Sequence, residues 1–95
     1  MDNNVYLITI IENIGDNETA VTHKGFVMGD VEKAIAAQKK AFYDCLSYWM
    51  KVGGYDEEGY TLEEVFEVYK SLNKLVALSR NRDEICCELE EVNEI

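Results

Sequence analysis

Between Val31 and Val52 the apolar residues recur at steps of three and four. Val31, Ala34, Ile35, Gln38, Ala41, Phe42, Cys45, Leu46 and Trp49 fall on one side of a helix. Glu32, Lys33, Lys39, Lys40, Asp44 and Lys51 fall on the other. A strand does not support this period, because its side chains alternate between two faces. Asp30 is placed to cap the start. Gly53 or Gly54 is free to take the left-handed conformation that ends a helix. A helix with one long apolar face must lie on something, so the rest of the chain has to supply a surface for it.

Residues 5–14, VYLITIIENI, are rich in β-branched and aromatic side chains and predict a strand. Val5, Leu7 and Ile11 occupy one face, and Tyr6, Ile8 and Ile10 the other. Both faces are apolar, which suits a central strand or one covered on both sides. Gly15, Asp16 and Asn17 form a turn signal. Residues 20–28, AVTHKGFVM, predict a second strand, antiparallel to the first.

After the acidic loop GGYDEEGY (53–60), Thr61-Leu62-Glu63-Glu64 is a capping-box sequence. Leu62, Val65, Phe66, Tyr69 and Leu72 then predict a second amphipathic helix with Glu63, Glu64 and Glu67 on its outer side. Residues 74–80 and 84–92 flank a turn signal at Asn81-Arg82-Asp83. Ile85, Cys87 and Leu89 alternate as in a strand; Ile85, Leu89 and Val92 also fit a helix, which the glutamates favour. The expected fold class is α+β. A small antiparallel sheet, built from an N-terminal and a C-terminal hairpin, packs on two amphipathic helices in the order ββααββ. The alternative is ββ followed by three helices.

Ninety-five residues make one domain, 1–95. Nearly half the residues are apolar, too many for a disordered chain. The start, Met-Asp-Asn-Asn, lacks the basic and apolar segments of a signal peptide, and no apolar run approaches a membrane span. Three cysteines, Cys45, Cys86 and Cys87, are an odd number and read as reduced thiols. Together these features predict a cytoplasmic location.

Nineteen acids against nine bases leave a net charge of −10. The first 51 residues hold seven acids and five bases; the remaining 44 hold twelve and four. Such a field repels nucleic acid and anionic membranes and attracts a basic surface. Acidity also confers solubility whatever the function.

Site chemistry narrows the classes further. One histidine, His23, and no paired cysteine spacing leave no zinc site. Setting Gly59 at the invariant glycine of a calcium loop puts Gly54 and Val65 at ligand positions, where neither serves. Gly53-Gly54 has none of the spacing of a phosphate loop. No signature of nucleophilic catalysis surrounds any serine or cysteine, and Cys45 sits on the apolar helix face. The chain is therefore expected to be no enzyme and to use no cofactor or metal.

The acidic half with its tyrosines remains. Asp56, Glu57, Glu58, Glu63, Glu64 and Glu67 cluster in sequence, bracketed by Tyr55 and Tyr60, and Glu84, Glu88, Glu90, Glu91 and Glu94 follow in the tail. Carboxylates among tyrosines suit a protein interface. The expected partner is a protein with a basic surface, such as a nucleic-acid-binding enzyme, and direct nucleic-acid or membrane contact is not expected. In size and acidity the chain resembles the small inhibitors of phages and mobile elements, the antirestriction and anti-CRISPR proteins. That likeness implies an inhibitor that places carboxylates where phosphates would lie. The competing expectation is a structural domain that forms a homodimer through Trp49 and Met50 or through an uncovered sheet face.

Overall fold

The computed structural model describes residues 4–14, 20–79 and 83–92. Five strands form one antiparallel sheet: β1 (Asn4–Asn13), β2 (Val21–Gly29), β3 (Phe66–Ser71), β4 (Lys74–Ser79) and β5 (Glu84–Val92), in the spatial order β2-β1-β5-β4-β3. One long helix, α1 (Val31–Val52), and a single turn, α2 (Leu62–Val65), complete the fold. No helix among the described residues is long and apolar enough to cross a membrane.

The expected order ββααββ is wrong in its middle. The second amphipathic helix does not exist beyond Val65, and the sheet has a fifth strand in its place. The capping box itself forms: Glu64 N–H donates to Thr61 Oγ1 at 3.3 Å and Thr61 N–H to Glu64 Oε1 at 2.9 Å. The helix then stops at Phe66, whose backbone is extended at φ −119°, ψ 135°. Burial explains the switch. As a strand, residues 66–71 bring Phe66 and Val68 to the core and pair with the whole of β4. Tyr69 and Leu72, which a helix would have needed inside, are left exposed. Tertiary pairing outweighs a helix signal that is only local. The alternative with three helices fails with it, since residues 84–92 form β5.

Other expectations stand. β1 and β2 pair antiparallel over nine residues, and β4 and β5 form the C-terminal antiparallel pair. The turn signals at Gly15, Asp16 and Asn17 and at Asn81 and Arg82 lie outside the described residues. α1 spans the expected segment. Asp30 caps it, its side chain accepting from Lys33 N–H at 2.8 Å, and Gly54, at φ 76°, supplies the left-handed residue after its end.

α1 lies across one face of the sheet. Phe42, Leu46 and Met50 meet Ile8, Ile85, Cys87, Ala77, Phe66 and Val65 there. Gln38 is buried in the same layer. Its amide donates to the carbonyls of Asn73 and Cys87, both at 2.9 Å, which ties the helix to the β3–β4 turn and to β5. The molecule measures 47 × 28 × 20 Å. Its least dimension accommodates one sheet and one helix layer, and the helix covers only one side of the sheet.

Candidate functional site

The strands that present Tyr6, Ile8, Ile85 and Cys87 to the helix present their alternate residues to the opposite face, and no described element packs there. Register fixes what that face contains. Across β3, β4 and β5, Tyr69 lies beside Val76 and Val76 beside Cys86; Cys86 then neighbours Ile11 of β1. Two rungs along, Glu90 lies beside Leu7 and Leu7 beside Phe26; at the end, Val92, Val5 and Met28 line up. Phe26 is 70% exposed and Met28 60%. An antiparallel sheet with one wet face normally carries polar residues there. Here apolar side chains run across it, interrupted by Glu67, Glu84, Glu88 and Glu90 and by Lys24 and Lys74. The Lys74 ammonium lies 3.6 Å from Glu88.

The site residues singled out from sequence are spread over three elements. Asp56, Glu57 and Glu58 are exposed in the turns after α1. Asp56 spends one carboxylate oxygen on Glu57 N–H at 2.9 Å. Glu63 and Glu64 stand in α2, where Glu64 completes the capping box, and Glu67 is on the open face of β3. Glu63, Glu64 and Glu67 share a shallow hollow with Phe66, Leu78 and Ser79; Asp56 to Glu58 do not line it. Tyr55 is half-buried against the core, with the exposed Tyr60 ring edge-on to it at 6.2 Å. The structure thus unites Glu63, Glu64 and Glu67, leaves Asp56 to Glu58 on a separate turn, and gives Tyr55 to the core. Glu94 and Arg80 lie outside the described residues. The contact suggested for a homodimer is turned inward: Met50 is buried, and Trp49 is half-buried and bonded within the chain.

Sequence reasoning passed over Glu12. It sits on the helix side of β1, in register after Tyr6, Ile8 and Ile10, and is only 8% exposed. Its Oε1 accepts from His23 Nε2 at 2.6 Å, and its Oε2 accepts a short hydrogen bond from Trp49 Nε1. An ionised carboxylate is acceptor-only, so both partners donate. Burying a carboxylate costs several kcal/mol unless it is so bonded. The signal was available: an acid interrupts an otherwise apolar strand face. Glu12 and His23 line a cleft of about 610 Å³ under the C-terminal half of α1, together with Ile10, Val21, Cys45 and Tyr48.

Burial, and then the Glu12 charge, push the Cys45 thiol up to about 12. Burial, and then Cys86, push Cys87 up to about 11. Burial also raises Cys86, which faces the open side, against the opposing pull of Lys74. All three cysteines are free thiols. Among the described residues, no three His, Cys, Asp or Glu side chains group to hold a metal ion. No protein-family model, no curated protein and no solved structure matches the chain.

Proposed function

We propose that this domain is a non-catalytic binding module that docks a basic protein on its open sheet face. The observation that carries the reading is the composition of that face. Phe26, Met28, Leu7, Val5 and Val92 form an uncovered apolar end, Glu88 and Glu90 adjoin it, and Glu84 stands at the far end of the same face beside Asn13. An exposed apolar patch with a polar border is the usual mark of a protein interaction site. Charge selects the partner. In a chain of net charge −10, carboxylates beside the patch favour lysine and arginine and disfavour a second copy of the same face. The thiols support the non-catalytic part: at neutral pH raised values keep Cys45 and Cys87 protonated, and the protonated thiol is not the nucleophilic form.

The test is capture from lysate by wild type and three variants. The first is Phe26→Ser with Met28→Ser. The second replaces Glu84, Glu88 and Glu90 by Gln. The third neutralises Asp56, Glu57, Glu58, Glu63 and Glu64, leaving Glu67 of the open face in place. The reading expects a basic protein retained at about 0.1 M salt and weakened at 1 M, as the screening length falls from about 10 Å to about 3 Å. It also expects that protein to be lost with the first two variants. Retention by both, or loss with the third alone, overturns the open face as the site. Mimicry of phosphates is a narrower form of the reading. It requires the captured protein to bind nucleic acid and to be released when nucleic acid competes.

A further inference from the structure

We propose that the cleft under the C-terminal half of α1 binds a primary ammonium group carried on an apolar stem, with Glu12 as its anchor. This site is on the helix side of the sheet and is independent of the open face. Its size, about 610 Å³, is that of a small-molecule site. Its walls are mainly apolar, from Ile10, Ile14, Val21 and Ala41, with a few polar groups converging on them. That combination suits an amphipathic ligand with one specific polar end.

The polar end must be a cation. Glu12 and Asp44 both line the cleft. Asp44 is offset by Lys40 outside it, at 2.7 Å, whereas among the described residues Glu12 has no lysine or arginine beside it, its partners being His23, Trp49 and the Cys45 thiol. His23 and Trp49 each donate one hydrogen bond, one to each oxygen. An ionised carboxylate has about four acceptor positions, so beside His23, Trp49 and the Cys45 thiol one position is left for an ammonium N–H. Tyr48 and Trp49 stand edge to face at 5.5 Å on the same wall, and aromatic faces attract cations. The net charge of −10 adds to the same field.

A purely structural clamp does not need this charge. Gln38 ties α1 to the sheet with a neutral amide bonded to two carbonyls. A glutamine at position 12 would still offer an oxygen to Trp49, at a much lower desolvation cost than a carboxylate. The carboxylate has a role in the cleft that an amide would not fill.

Trp49 is the chain's only tryptophan, so its fluorescence reports on this cleft alone. The experiment titrates the wild-type protein with phenethylammonium, with 2-phenylethanol and with 3-phenylpropionate. The expected result is saturable change with phenethylammonium, at least about tenfold tighter than with the alcohol, the margin between charge-assisted and neutral hydrogen bonds. Phenylpropionate should give no saturation. N-acetyl-lysine methylamide forms a further arm. Binding as tight as phenethylammonium identifies the natural source as a lysine side chain; weaker binding identifies a free amine. Glu12→Gln, checked for folding by circular dichroism, should lose about tenfold in phenethylammonium affinity. Asp44→Asn and Tyr48→Ala lie at exposed positions, so they keep the test decisive if Glu12→Gln does not fold. Asp44→Asn should weaken phenethylammonium and leave the alcohol unchanged, and Tyr48→Ala should weaken both, the amine more. Equal binding of amine and alcohol, no binding of the amine, or unchanged amine affinity in the folded variants overturns the proposal.

Discussion

On one side of the sheet, Ile8, Ile85, Cys87 and Ala77 meet Phe42 and Leu46 and are closed to solvent or nearly so. On the other, one residue along the same strands, no described layer lies above the sheet: Leu7 and Cys86 are half-buried by their neighbours, Val76 is 5% exposed, and Phe26 and Met28 are 70% and 60% exposed. The period of two makes this a sharp division, because each step along a strand changes face. Both sides are apolar, yet only one helix is available to cover them. The covered face accounts for most of the core; on the open face Val76 is buried among its neighbours, whereas Phe26 and Met28 bury little in an isolated monomer.

One residue type tests the division directly. Phe42 is fully buried in α1, and Phe26 is 70% exposed on the open face of β2. Phe42→Ala should cost about 3–5 kcal/mol, through lost burial and the cavity left behind. Phe26→Ala should cost within about 0.5 kcal/mol, as surface changes do. Urea denaturation of both variants gives the comparison. If Phe26→Ala costs as much as Phe42→Ala, the open face is covered in solution, and a concentration-dependent midpoint would identify a second copy as the cover.

The two buried polar groups under α1 sharpen the contrast on a smaller scale. Gln38→Ala removes the donor to two carbonyls and should cost about 1–3 kcal/mol. Glu12→Gln keeps an acceptor for Trp49 while removing a buried charge, so it should cost less than Gln38→Ala in the same denaturation series. A larger loss at position 12 would make the Glu12 charge itself a stabilising element.

Most of the covered layer was legible in the sequence. α1 announces itself through a long run of steps of three and four, the longest local signal in the chain. β1 and β2 follow from runs rich in β-branched and aromatic residues; β4 and β5 were expected as a hairpin against a helical alternative that Ile85, Leu89, Val92 and the glutamates also fit. β3 was hidden because Leu62, Val65, Phe66, Tyr69 and Leu72 satisfy a helical stripe, while the strand signal is only Phe66 and Val68 on one face. The deciding term was non-local: β4 offers a free edge to residues 66–71. The acidic cluster at 56–67 was visible only as a run in sequence, and folding distributes it over a turn, α2 and β3. The Glu12 site joins residues 11 and 37 positions apart, His23 and Trp49, and no local spacing reveals such a meeting.

The turn that completes β3 carries a locally unfavourable residue. Leu72 has φ 54°, in the left-handed region, with its side chain 91% exposed. That conformation costs a residue with a Cβ roughly 1–2 kcal/mol, and glycine avoids the cost at some loss of chain entropy. Leu72→Gly should therefore stabilise the protein by up to about 1 kcal/mol, read as a raised denaturation midpoint. Asn73 must stay: its side chain donates to the Leu89 carbonyl at 2.7 Å, and its own carbonyl receives Gln38.

The cysteines report on the two faces without disturbing either. Cys86 points to the open side, and Cys87, its neighbour, is fully buried against Gln38, its thiol 3.7 Å from the Gln38 carbonyl. Cys45 lies between, half-buried beside Glu12. Alkylation consumes the thiolate, so a raised thiol value slows it at any pH below that value. Iodoacetamide at pH 8 should modify Cys86 first. Cys45, held near 12, should follow far more slowly, and Cys87, held near 11 and without solvent access, should react only as the fold opens. Each rate should rise as pH rises toward the thiol's own value, and denaturant should make the three alike. Mass spectrometry of timed digests gives the order. Early modification of Cys87 would mean that the covered face opens readily, and protection of Cys86 would mean that the open face is occupied.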